Sequence, residues 1–353
     1  MTMKFTLHPA LLIYPKLIDD ERFFVAEINC ALPPVILGSP KIVSIINSLP
    51  KEFTHKQGVE TFLEHGIEVG LAQKTFYFFV KEKIFVERKE NAVFEKTFWF
   101  KYGWVEAFRY HWATKDFPFL QMHKSDAFLK DNERMVTFRE KSRVPSLYQV
   151  KKSLKQYSVL RLHKKNIRNI LKQVHRDAMS PKEKLGFLFN FCFGERGRKA
   201  FGVQGSFLRK VTPSGGARHP VEVYLVAFDY QGLEKGVYHY NVKNNSLDFF
   251  KKGDFYSEAQ KATFDLFSKY QQPPKCLFIF TTVFERSMWR YRDSRSWRAP
   301  LVDVGHALMC FRQVSSLLRF DTYTYQKFED QKIAELIEAD VTLQSPLYVG
   351  TLL

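Results

Sequence analysis

Apolar residues along this chain fall into two rhythms, alternation and recurrence every three to four positions, and the switches between them outline its elements. In the first hundred residues, FFVAEIN at 23–29 and TFYFFVKEKIFVER at 75–88 read as strands, the second folding as a hairpin about the polar KEK. Between them, residues 39–66 read as two short helices. Pro40 stands at an early helical position, and Thr54 followed by Gln57 signals the start of the second. Two helices and a hairpin make a small winged-helix-like domain over 1–100. Such domains bind DNA, and they also hold peptides by adding a strand to a sheet. Glu60 and Glu64 make the second helix a poor DNA-reading face.

Residues 101–150 break both rhythms. YHWATKDFPFL at 110–120 and REKSRVPSLYQ at 139–149 are aromatic and punctuated by Pro118 and Pro145, and they read as an irregular connecting segment. Periodicity then returns. Residues 164–194 give two helical stretches, the second opened by Ser180-Pro181 with Glu183 and closed by Gly194. A strand at 221–228 precedes a hairpin over 236–250 that bends at Asn244-Asn245. A helix at 259–270, a buried strand at 275–284, a long helix at 300–320 and a last strand at 344–353 complete the chain. Helices alternating with a mixed sheet define an α+β domain over 151–353.

Composition narrows the class. The 353 residues are 45% hydrophobic and 16% aromatic, which is a globular composition. A formal charge of +17, spread along the whole chain, favours anionic partners: nucleic acid, a phosphorylated cofactor or an acidic peptide. Cys30, Cys192, Cys276 and Cys310 are far apart and show no metal or disulfide spacing. The N-terminus lacks a signal-peptide pattern and no segment is a clean membrane span, so a soluble cytoplasmic protein is expected. The motifs of P-loop ATPases, Rossmann dinucleotide sites, zincins and GxSxG hydrolases are all missing.

Two stretches carry candidate chemistry. In Pro213-Ser214-Gly215-Gly216-Ala217-Arg218, glycines can take positive φ and bare their N–H groups, Ser214 adds a hydroxyl, and Arg218 can fork onto an anion or carbonyl. The segment is either a plain turn or a loop that grips a ligand. In FERSMWRYRDSRSWR, Arg286, Arg290, Arg292, Arg295 and Arg298 interleave with Trp289, Tyr291 and Trp297. That mixture makes a stacking platform for a planar ring, a surface for single-stranded nucleic acid, or a solvated face. Asp303 and His306 follow three apart, on one side of a helix.

These pieces resemble, in order, the SagB-type dehydrogenases of the FMN-dependent nitroreductase superfamily, known as azoline oxidases. The resemblance runs through YHWATKDFPF, KLGFLFNFCFG, TPSGGARHPVEVYLV, GLEKGVYHYNVKNNSLDFF, FERSMWRYRDSRSWR, DVGHALM and SPLYVGTLL, over about 105–353. It implies a nitroreductase-like mixed sheet flanked by helices, a homodimer, and FMN in a cleft between subunits. It places Ser214, Gly215, Gly216 and Arg218 beside the flavin, with Arg295 and His306, and has Glu222 brace the next strand. Azoline-oxidising members carry Lys-Tyr where this chain has Arg290-Tyr291. Arginine stays protonated and cannot serve as a base, so either Tyr291 transfers the proton with Arg290 fixing charge, or the reaction is a different one. The family's FMN-phosphate arginines and serine find their nearest match in Ser158 and Arg161, in altered spacing. The implied substrate is a ribosomally made precursor peptide, with an acidic leader steered by the basic surface and partner enzymes in its biosynthesis. The reaction is then azoline oxidation to a thiazole or oxazole. The opposite direction, reduction of dehydroalanine or dehydrobutyrine with NAD(P)H, and a non-catalytic scaffold are the alternatives.

Overall fold

The computed structural model describes residues 3–18, 21–29, 32–121, 126–159, 162, 167–175, 178–269 and 271–353. The chain divides into two compact units, Met1–Gln121 and Met122–Leu353.

In the first unit, strand Lys4–Leu7 lies between Phe53–Thr54 and Phe85–Glu87 in an antiparallel sheet. Helices Pro40–Ser48 and His55–Glu64 form where expected, and Thr54 and Gln57 make a reciprocal capping box. The expected hairpin at 75–88 does not form. Its first half belongs to a third helix, Val69–Lys81, and only Phe85–Glu87 is extended. Ala72, Phe76 and Phe79 are the buried stripe of that helix, at helical spacing. The unbroken aromatic run at 76–79 hides this period, because exposed Tyr77 and Phe78 read as apolar too. Residues 101–150 are likewise not simply irregular: they include helices Val105–Thr114 and Ala127–Lys141. In the second of these, Ala127, Asp131 and Met135 recur every four residues and are all buried.

The second unit is built on seven strands in the order Thr322–Tyr325, Gln344–Leu352, Cys276–Val283, Val221–Ala227, Gly236–Asn241, Ser246–Lys252 and Lys155–Ser158. The fold is α+β, as expected. Every neighbouring pair is antiparallel, however, so the sheet is not mixed. Short turns join the three strands between 221 and 252, and short turns return a strand antiparallel to its neighbour. Side chains of Cys276–Val283 and Val221–Ala227 are buried on both faces. Val223, Leu225, Phe278 and Phe280 pack with helices Pro181–Phe193 and Arg298–Leu317; Tyr224, Val226, Leu277 and Ile279 pack with Tyr256–Ala262 and Asp330–Leu336. Burial on both faces explains the continuous apolar runs of these strands. Ser180 and Glu183 cap the Pro181–Phe193 helix reciprocally, and Gly194 ends it. Among the described residues, no helix is long and apolar enough to cross a membrane, and no cluster of metal-ligating side chains forms.

Candidate functional site

The segment before strand Val221–Ala227 is held at both ends by buried charge. At its start, the Ser214 hydroxyl donates to Asp303 Oδ2 at 2.5 Å, and the Gly215 N–H donates to Oδ1 at 3.0 Å. Burial raises the Asp303 carboxyl, and these two donors oppose that shift. The Ser214 oxygen also accepts the His219 N–H at 2.8 Å. The hydroxyl proton is thus spent inside the chain. At the other end, Arg286 Nη1 donates to the His219 carbonyl at 3.0 Å, while Nε donates to the Ser146 carbonyl.

Arg286 is itself paired with Glu222, N to O 2.6 Å, and His239 Nε2 lies 3.0 Å from the other Glu222 oxygen. Burial by itself would raise the Glu222 carboxyl. The adjacent Arg286, the hydrogen bond to His239 and the charge of Lys210 instead bring it down to about 2. Desolvation lowers the Lys210 ammonium to about 8, despite the attraction of Glu222. Lys210, Ser214, His219 and Asp303 share a cavity of about 10 Å³ under the loop, room for one water.

Between its clamps the loop is backbone-strained. Gly216 takes φ 59°, and Ala217 and His219 also have positive φ, at 53° and 46°. What approaches Gly216 is the Tyr291 side chain: an ideal Cβ at 216 would stand 1.9 Å from its hydroxyl oxygen. Arg218 curls back, donating from Nε to the Gly216 carbonyl, and its guanidinium lies 4.4 Å from the Phe207 ring centre. Burial lowers its affinity for the proton, and it feels the charges of both Tyr291 and Arg290.

Arg290 is anchored from another element. Its Nη2 donates to both oxygens of buried Asp131, at 3.0 and 2.7 Å, and its guanidinium carbon is 5.0 Å from the Tyr291 ring centre. Gly216, Arg218, Arg290 and Tyr291 therefore form one cluster, with Ser214 and Gly215 beneath it. His306 lies one turn past Asp303, and its Nδ1 is buried without a partner. Arg295 is half-buried in the turn Ser294–Trp297 that leads into the same helix. Ser158 is not brought to the cluster. It ends the edge strand Lys155–Ser158, three strands away from Val221–Ala227. Arg161 lies outside the described residues.

Sequence reasoning missed Asp131 and the His239 contact. Asp131 lies 159 residues from Arg290, within a helix rich in exposed charge, and only its place in a four-residue buried stripe marks it. FMN suits the donors that are present: a buried Arg218, and an Arg290 Nη1 and His306 Nδ1 that are buried and unpaired among the described residues. Acceptor oxygens of a flavin or of its substrate would satisfy them.

With the loop-and-tyrosine cluster in place, comparison with known proteins shows what the chain is similar to. The chain is 40% identical over 138 residues to the trifolitoxin-processing protein TfxB of Rhizobium leguminosarum bv. trifolii, covering 37% of each chain. It is 27% identical over 139 residues to "Putative nitroreductase MJ1384" of Methanocaldococcus jannaschii, covering 39% of this chain and 69% of that one. A solved nitroreductase-type structure from Anabaena variabilis overlays with a TM-score of 0.48 at 21% identity, over 64% of this chain and 45% of that one. The match spans little more than a third of TfxB. No protein-family model matches. Over little more than a third of its length, then, the chain is similar to a trifolitoxin-processing protein and to a nitroreductase.

Proposed function

We propose that the protein is an FMN-dependent oxidoreductase that dehydrogenates a thiazoline or oxazoline to a thiazole or oxazole in a ribosomally made peptide. The observation that carries this is the Tyr291 hydroxyl resting on Gly216 between Arg218 and Arg290. Similarity to a toxin-processing protein and to a nitroreductase supports the substrate class and the redox chemistry. FMN, when bound, supplies a hydride acceptor. Ser214, Gly215, Gly216, Arg218, Arg295 and His306 would hold it. Aromatisation removes one hydride and one proton from the ring. Tyr291, acting as its phenolate, takes the proton and becomes the neutral phenol, and the two guanidinium groups stabilise negative charge on the phenolate and on the substrate. The Met1–Gln121 unit holds another part of the peptide, and the basic surface draws an acidic leader.

One observation favours the opposite direction as a second reading. Arg290 is fixed on Asp131 as a permanent cation, which suits stabilising an enolate more than removing a proton. Tyr291 would then donate a proton to a dehydroalanine or dehydrobutyrine residue, with NAD(P)H as the source of the hydride.

Mass spectrometry of candidate precursor peptides separates the two. A loss of about 2 Da supports azoline oxidation; a gain of about 2 Da per dehydro residue, dependent on NAD(P)H, supports reduction. A colourless preparation that ignores added FMN would leave a scaffold instead of an enzyme.

A further inference from the structure

We propose that Arg290 and Asp131 form a receptor for one substrate oxygen that carries or gains negative charge, a carbonyl or carboxylate, with Asp131 as its positioning residue. This rests on the reading that Tyr291 serves the reacting peptide. Only one terminal nitrogen of Arg290, Nη2, is used by the protein, and it is bound to both oxygens of Asp131. Asp131 is held in turn by Arg134 at 2.6 Å, and its side chain is only 4% exposed. The buried carboxylate is thus tied to two arginines, which restrains the guanidinium of Arg290.

The other terminal nitrogen, Nη1, is buried and has no partner. A guanidinium only donates, so Nη1 needs an acceptor, and leaving such a buried donor empty is unfavourable. The group that completes it must therefore bring an oxygen. Among the described residues, the guanidinium groups of Arg134, Arg218 and Arg290 gather about the Asp131 carboxylate, which favours an oxygen with negative charge. The receptor sits beside the Tyr291 ring, 5.0 Å from its centre, so an oxygen bound there brings its neighbouring carbon toward the tyrosine. A lysine at 290 would offer a swivelling point charge. Arginine pinned at one nitrogen offers the aimed N–H groups of the other.

The test is calorimetric titration of the FMN-loaded full chain with sodium benzoate as a carboxylate probe, alongside FMN affinity by flavin fluorescence. Wild type is expected to bind benzoate, and Arg290→Met to weaken binding about tenfold to a hundredfold. Asp131→Asn is expected to weaken it about tenfold, yet to add nothing in the Arg290→Met background, with FMN affinity unchanged in all variants. Arg290→Lys is expected to retain part of the binding and to report that the site still folds. Equal benzoate binding in wild type and Arg290→Met would overturn the receptor. An equal loss from Asp131→Asn in both backgrounds would make Asp131 merely structural. A fall in FMN affinity with Arg290→Met would hand the oxygen to the cofactor instead. If no peptide is turned over while the benzoate pattern holds, the proposed reaction falls and the receptor stands.

Discussion

Tyr291 and Gly216 constrain each other. Gly216 adopts a φ that side chains avoid, and the space its Cβ would fill is taken by the Tyr291 hydroxyl. If Tyr291 moves the proton, Tyr291→Phe keeps FMN bound and loses about 10²-fold or more in kcat, the scale of general acid–base catalysis. Undiminished turnover would remove the tyrosine from the chemistry. Gly216→Ala meets both penalties at once, strain of about 1 kcal/mol and displacement of the ring. It should lower both melting temperature and turnover. Because the hydroxyl oxygen is the nearest atom, at 1.9 Å, with ring carbons following at 2.9 and 3.1 Å, adding Tyr291→Phe should recover part of the lost stability but none of the turnover. A Gly216→Ala protein that melts and turns over like wild type would show that the apposition is incidental.

Glu222 on strand Val221–Ala227 and Arg286 on helix Phe284–Met288 tie the loop to the sheet. A carboxyl whose folded value lies below its unfolded one stabilises the fold above the unfolded value and loses that stabilisation as pH falls through the folded one. For Glu222 the window runs from 4.5 down to about 2. Replacing it with Gln also strands buried Arg286, a loss of about 3–5 kcal/mol. Denaturant melts should therefore show the full gap between wild type and Glu222→Gln at pH 7, closing as pH falls from 4.5 towards 2. A gap independent of pH would mean that the carboxylate charge is not what Arg286 needs. Which elements could be read from sequence follows the same local-versus-distant division. Thr54 with Gln57 and Ser180 with Glu183 bond within three residues, so their helices were legible. The third helix of the first unit was not, because an aromatic run has no visible period. The PSGG loop was legible as a motif, but its clamps were only partly so. The Ser214–Asp303 and Arg290–Asp131 bonds close over 89 and 159 residues, distances at which spacing carries no signal.

At the scale of the whole chain, each unit carries its own core. Phe5, Phe53, Phe62, Phe76 and Phe85 fill that of Met1–Gln121, and strands and helices of Met122–Leu353 enclose the others. Every residue of the proposed flavin site belongs to the second unit, so FMN should stabilise that unit and leave the first alone. Ligand at a hundred times its Kd adds about 2.7 kcal/mol, and a unit of this size then melts about 5–10 °C higher. Phe76, wholly buried against Phe5, Phe53 and Phe85, supplies the converse perturbation. Phe76→Ala removes about 3–5 kcal/mol from the first core. Calorimetry should resolve two transitions, one raised by FMN and insensitive to Phe76→Ala, the other lowered by Phe76→Ala and insensitive to FMN. A single transition moved by both would mean that the cores melt as one. Two transitions that both ignore FMN would sink the flavin assignment, whatever the fate of the peptide.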